Sequence, residues 1–181
     1  MHLWNRAAVV GVPGVGKTSL SQAACHELGY HYVNYGELML EIAQKRSLAT
    51  NLEELLQLNP QLQFQIWKSA ALQVKNVKNM LFDLHGVDLT REGYLISLPF
   101  EVIPPEIIIV IEASYHHLLD RRTADSLKNR AVERYNQIKE HESFLKYSIA
   151  SIAAFLGSNI VFIKNDDFKN SLEDLKDVLK K

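Results

Sequence analysis

The stretch Val9-Val10-Gly11-Val12-Pro13-Gly14-Val15-Gly16-Lys17-Thr18-Ser19-Leu20 constrains this chain more than any other. Gly11, Gly16, Lys17 and Thr18 satisfy the pattern G-x-x-x-x-G-K-[ST], preceded by an apolar run and followed by helical periodicity. A loop of this kind joins a buried strand to a helix. Its glycines let successive backbone N–H groups turn inward, and the helix N-terminus adds partial positive charge. That chemistry fits the phosphates of a nucleoside triphosphate, with Lys17 reaching the β and γ phosphates and the Thr18 hydroxyl taking a place on Mg²⁺.

Apolar runs alternate with helical spacing along the rest of the chain, which predicts an α/β fold with a parallel sheet wrapped by crossover helices. Five strands are expected: Arg6 to Val12, Tyr30 to Tyr35, the run from Asn79, the run from Glu106 and Asn159 to Asn165. Helices are expected over Lys17 to Leu28, about Glu37 to Arg46, two within Asn51 to Val77, Leu118 to Leu156 with at least one break, and Leu172 to Lys181. Pro60 suits the first turn of the second helix in the Asn51 to Val77 stretch. Leu98 to Pro105 reads as a loop, and the whole of 1–181 as one domain.

Twenty basic residues against 21 acidic ones give a net charge of −1, so no general field draws nucleic acid or an anionic membrane. No apolar run approaches the roughly 20 residues of a membrane span. The one cysteine, Cys25, falls in a helical pattern and is expected to pack there. A cytoplasmic protein is the expectation. His116 and His117 read as exposed, and Trp4 and Trp67 as packing or subunit-contact residues. The stripe in Phe144 to Leu156 reads as core or oligomer surface.

Asp83 ends the run Met80-Leu81-Phe82, where a carboxylate can hold magnesium through water. His85, on the same strand face, either positions a phosphate or water or caps the turn before Gly86. Hydrolysis needs a group that orients water. A nucleoside monophosphate instead brings its own nucleophile, being largely dianionic at neutral pH, and needs cations to hold two phosphate chains together. Arg121, Arg122, Lys128 and Arg130 place four cations within ten positions, and Asp125 lies four residues from Arg121, where it can orient that guanidinium.

Taken in order, "GVPGVGKT", "VNYGELM", "FDLHG", "TREGYLISLP", "LDRRTADSLKNR" and "FLKYSIASIAAFLG" resemble the archaeal type of adenylate kinase across almost the whole chain. The resemblance implies a three-layer P-loop fold with a five-stranded parallel sheet, a region for the acceptor nucleotide over about 36–78, and a short helical lid over about 119–133. It also implies ATP and AMP as substrates, Mg²⁺, and a homotrimer. Gly11, Val12, Pro13, Gly14, Val15, Gly16, Lys17, Thr18 and Ser19 would hold ATP, with Asn165 in the loop beside its adenine. Thr18 and Asp83 would serve the metal. Tyr35, Gly36, Glu37, His85, Thr90, Arg91, Gly93 and Tyr94 would border or line the acceptor site. Lys17 together with the lid cations Arg121, Arg122 and Arg130 would be catalytic.

The chain departs from that family in three places. Leu56 stands where the acceptor helix usually carries arginine, Ser97 where glycine is usual, and Lys128 where the lid has arginine. Arg91, Arg46 or Lys68 is left to meet the acceptor phosphate, and acceptor selectivity is expected to relax. "VNYGEL" and "FDLHGVD" also resemble adenylate-kinase-like ATPases that act with a protein partner in maturing the small ribosomal subunit. The "GYLISLP" loop and the Arg121 to Arg130 cluster favour the kinase over that alternative.

Overall fold

The computed structural model describes residues 4–90, 93–118 and 135–180. Strand β1 (Arg6–Val10) lies at the centre of a five-stranded sheet and feeds the glycine loop and helix α1 (Lys17–Leu28). Next come β2 (His31–Asn34), α2 (Tyr35–Lys45), α3 (Leu52–Gln57), α4 (Pro60–Val74) and β3 (Met80–Asp83). A hairpin of β4 (Val87–Thr90) and β5 (Gly93–Ile96) precedes β6 (Ile107–Glu112). Helix α5 (Tyr135–Leu156), β7 (Asn159–Lys164) and α6 (Phe168–Leu179) complete the described elements.

The sheet order is β2-β3-β1-β6-β7, and every pairing is parallel. Chain order reverses at β1, and the crevice at such a switch point, outside the carboxyl ends of the strands, is where open α/β sheets bind ligands. Register fixes what gathers there: Asn34 pairs with Asp83, and Asp83 with Val9. Ala7 to Val10 in β1, Met80 to Phe82 in β3 and Ile107 to Ile111 in β6 are at most 2% exposed, because helices cover both faces.

Helix boundaries follow from side-chain caps. Asn34, Asn51, Asn59 and Asp167 each accept the N–H of the residue three further on, and so open α2, α3, α4 and α6. Pro60 occupies the first turn of α4, as its position suggested. Gly29 closes α1 in the left-handed region at φ 75°.

Several sequence expectations change, and the second strand, expected over Tyr30 to Tyr35, runs His31–Asn34 because Asn34 caps α2 and Tyr35 begins it. The first strand stops at Val10, so Gly11 and Val12 belong to the loop. Helix α6 opens at Phe168, one turn earlier than Leu172, because Asp167 caps it. The segment containing Thr90, Gly93 and Tyr94 is a two-stranded antiparallel hairpin, with Thr90 opposite Gly93 and Leu89 opposite Tyr94. Among the described residues no helix is long and apolar enough to cross a membrane.

Candidate active site

The loop after β1 is held tightly. Gly11 donates its N–H to the His85 carbonyl at 3.2 Å. A Cβ on Gly11, whose φ is 156°, would stand 2.4 Å from the Ile111 carbonyl oxygen, so only glycine fits between β1 and β6 here. Gly16 precedes α1 in the left-handed conformation, φ 88° and ψ 20°, and turns the chain so that the first helical N–H groups face the loop. No acidic residue of α1 itself occupies its first turn, so its N-terminal end keeps partial positive charge towards the loop. The Lys17 side chain is buried and reaches back over the loop, donating to the carbonyls of Gly11 at 2.7 Å and Val12 at 3.2 Å. These features suit a phosphate chain in the curve of the loop, with the ammonium beside it.

Beside the loop sit three oxygens. Thr18 Oγ1 donates to Asp83 Oδ2 at 2.7 Å, and the Tyr32 hydroxyl donates to the same oxygen at 3.0 Å. Asp83 is 4% exposed. Burial first, and then the Asp83 charge, push the Tyr32 phenol far above its usual range, so it remains a proton donor. The Thr18 hydroxyl and the Asp83 carboxylate are hard oxygen donors, which fit Mg²⁺ and not a soft metal. Among the described residues no three His, Cys, Asp or Glu gather into a metal cluster. Thr18 and Asp83 are the side chains here that would hold a magnesium ion. Cys25 lies near enough for Asp83 to act on it, but burial foremost pushes its thiol up to about 12, and it packs as expected.

Asn165, 2% exposed, ties the loop after β7 to the phosphate loop by donating its side-chain amide to the Val15 carbonyl at 2.7 Å. Its own N–H donates to the Glu112 carbonyl at 2.7 Å. The carboxylate of Glu112, at the end of β6, forms an ion pair with Lys146 of α5.

Among the residues expected from sequence to border the acceptor, Tyr35 is 2% exposed and donates its hydroxyl to the Trp67 carbonyl at 2.6 Å, fastening α2 to α4. Glu37 is exposed in the first turn of α2. A Cβ on Gly36 would lie 4.0 Å from the Leu52 side chain, so α3 flanks this turn. Leu52 and Leu56, one helical turn apart, are 46% and 60% exposed, and Phe64 of α4 is 53% exposed with its ring stacked on Trp67. Arg46 donates to the Ser69 hydroxyl at 2.9 Å, and Lys68 is exposed. His85 is half exposed, and its ring Nδ1 lies 2.7 Å from Asp88 Oδ1, so the carboxylate orients the ring. Burial raises the Asp88 carboxyl, but His85, Ser97 and His141 outweigh it and hold the group below its usual range. Tyr94 stacks on Phe144 of α5 at 4.6 Å, and Thr90 donates to the Gly93 carbonyl. Arg91, Arg121, Arg122, Asp125, Lys128 and Arg130 lie outside the described residues.

Sequence reasoning missed Tyr32 and Lys146. The first needed the β2–β3 register and the second the packing of α5 against β6, and neither leaves a local signal.

A strand, a glycine loop with its lysine, and a helix at the switch point of a parallel sheet, with a threonine and a strand-end carboxylate alongside, define a P-loop nucleotide-binding protein. The AAA domain family model matches residues 10–139. Among solved structures, shikimate kinase from Bacteroides thetaiotaomicron shares the fold with a TM-score of 0.60 at 16% identity, covering 98% of this chain and 99% of that one. A gluconokinase from Sinorhizobium meliloti gives 0.54 at 15% identity, covering 99% and 97%. A protein of Methanothermobacter thermautotrophicus named adenylate kinase homolog is 40% identical over 95% of this chain and 90% of its own. The adenylate kinases of Methanocaldococcus jannaschii and of the same Methanothermobacter are 34% and 30% identical, covering 95% and 94% of this chain and 96% and 97% of theirs. The chain belongs to the adenylate kinase family and is a nucleoside monophosphate kinase.

Proposed function

We propose that the protein is an adenylate kinase with relaxed acceptor selectivity, carrying the γ-phosphate of ATP reversibly to AMP and, less efficiently, to other mononucleotides. The reading rests on one observation above all: Lys17 lies across a glycine loop whose neighbour Thr18 is bonded to the buried Asp83. Gly11 to Ser19 hold the triphosphate, and the Asn165 loop borders the adenine. Thr18 and Asp83 are the residues that would hold Mg²⁺, which when bound would neutralise charge on the phosphate chain.

The acceptor phosphate attacks as its own dianion, so no general base is needed. The work left to the protein is to align the two phosphate chains and to stabilise charge on the group in transit. Lys17, Arg121, Arg122 and Arg130 do this in our reading, while Tyr35, Gly36, Glu37, His85, Thr90, Arg91, Gly93 and Tyr94 border the acceptor. The enzyme works in the cytoplasm as a homotrimer.

Relaxed selectivity is proposed because departures from the family resemblance fall in the half of the chain assigned to the acceptor, Leu56 of α3 among them. Leu56 projects to solvent where the family resemblance sets an arginine, so one phosphate contact of the acceptor is missing. Losing such a charge-assisted contact weakens acceptor binding by roughly 1.5–3 kcal/mol. Coupled assays with AMP, CMP, UMP, GMP and no acceptor test the proposal. Turnover with several mononucleotides, within about a hundredfold of AMP, is expected. Leu56→Arg should lower the KM for AMP about tenfold or more with kcat little changed. ATP loss that proceeds equally without any acceptor would favour the ATPase alternative, and a preference for AMP above about a hundredfold would defeat the selectivity reading.

A further inference from the structure

We infer that Tyr32 is a positioning residue for the metal-side carboxylate, holding Asp83 in the orientation from which it serves a divalent cation next to Thr18. This rests on the reading of Thr18 and Asp83 as the magnesium side of the site. Both hydroxyl donors on Asp83 converge on Oδ2, Thr18 from α1 at 2.7 Å and Tyr32 from β2 at 3.0 Å. Two donors from different elements on one oxygen fix the plane of a carboxylate that a single donor would leave free to turn. Thr18 has a second task, since its oxygen is also the one offered to a metal. Tyr32 is not one of the residues read as holding the metal, so its bond to Asp83 need not be given up when the site is loaded.

The length of the side chain is part of the case. Asn34 is the β2 residue in register with Asp83, and Tyr32 lies two residues before it on the same strand face. Two residues of strand rise about 6.6 Å. Only a long side chain with a donor at its tip covers that distance along the sheet. Phenylalanine fills the same space without the donor, and a serine or threonine carries a donor that falls short. Outer hydrogen-bond partners of this kind tune metal affinity by roughly 10–100-fold.

The test is a titration of Mn²⁺, read by electron paramagnetic resonance, into the full chain saturated with a non-hydrolysable ATP analogue. Tyr32→Phe should raise the Mn²⁺ dissociation constant about tenfold. Its affinity for the metal-free analogue should stay within about twofold, and its melting temperature close to that of the parent. In turnover, the Mg²⁺ concentration at half-maximal rate should rise while kcat at saturating Mg²⁺ holds. Asp83→Asn serves as the reference. If it weakens Mn²⁺ and Tyr32→Phe does not, the inference about Tyr32 is wrong and the metal reading survives. If Asp83→Asn leaves Mn²⁺ binding unchanged, the metal reading fails and takes the inference with it. A Tyr32→Phe protein that loses analogue affinity and melting temperature in step with Mn²⁺ affinity would show a merely structural role, and would also overturn the inference.

Discussion

Asp166 joins two parts of the chain that meet at the edge of the site. Its Oδ1 accepts the N–H of Ser114, just past β6, at 2.7 Å, and its Oδ2 pairs with Lys164 at 2.7 Å. Burial alone would raise this carboxyl, but the Lys164 and Ser114 contacts outweigh it and bring it down to about 2. A folded-state value below the ordinary carboxylate value, about 3.9, means that this stabilisation is full above about pH 4 and is lost as the pH falls towards 2. Asp166→Asn should therefore melt about 3 °C below the parent at pH 7, with the difference closing between about pH 4 and pH 2. A gap that stays constant down to pH 2 would show that the charge is not the cause. Residues of this kind are invisible in sequence, because Ser114 and Asp166 become neighbours only through the β6–β7 pairing. Lys17, Thr18 and Asp83 were legible for the opposite reason. Their spacing within a strand-loop-helix, or at the end of an apolar run, already implies where their side chains go.

The elements divide along the same line. Strands β1, β3 and β6 are covered on both faces, so their sequences are continuous apolar runs with little else to be. The hairpin offered no such signal. Each of its strands has four residues, and Leu89, Leu95 and Ile96 remain 49%, 49% and 40% exposed, which blurs any inside-outside alternation. Its Arg91-Glu92 connection also lacks the Asn-Gly or Asp-Gly pair that marks a tight hairpin turn. The start of α6 was missed because Phe168 is 46% exposed and does not announce the apolar face, while Asp167 does the capping. For α2 the cap moves the start only from about Glu37 to Tyr35, but this carries the Tyr35 ring inward to the Trp67 carbonyl. Tyr35 thus braces α2 against α4.

As an assembly, the chain leaves an apolar face uncovered along the hairpin and α5. Tyr147 and Phe155 are 74% and 81% exposed, and with Ile96, Phe100 and Ile152 they line a groove of about 460 Å³. The homotrimer proposed above would need such a face, since contiguous exposed apolar patches on one protein commonly mark contacts with another. Light scattering on the purified chain should then give about 62 kDa, three times the 20.6 kDa of one copy. A single-copy mass at micromolar concentration would remove the trimer from the proposal and leave the chemistry untouched.

That chemistry is tested most directly by following the γ-phosphate. With ATP labelled at that position, AMP and Mg²⁺, label should appear in the β position of newly formed ADP, with two ADP made for each ATP consumed. Lys17→Ala should slow the transfer by about 10²–10³. Label recovered as inorganic phosphate, at a rate indifferent to AMP, would contradict the assignment of this phosphate loop to a mononucleotide kinase.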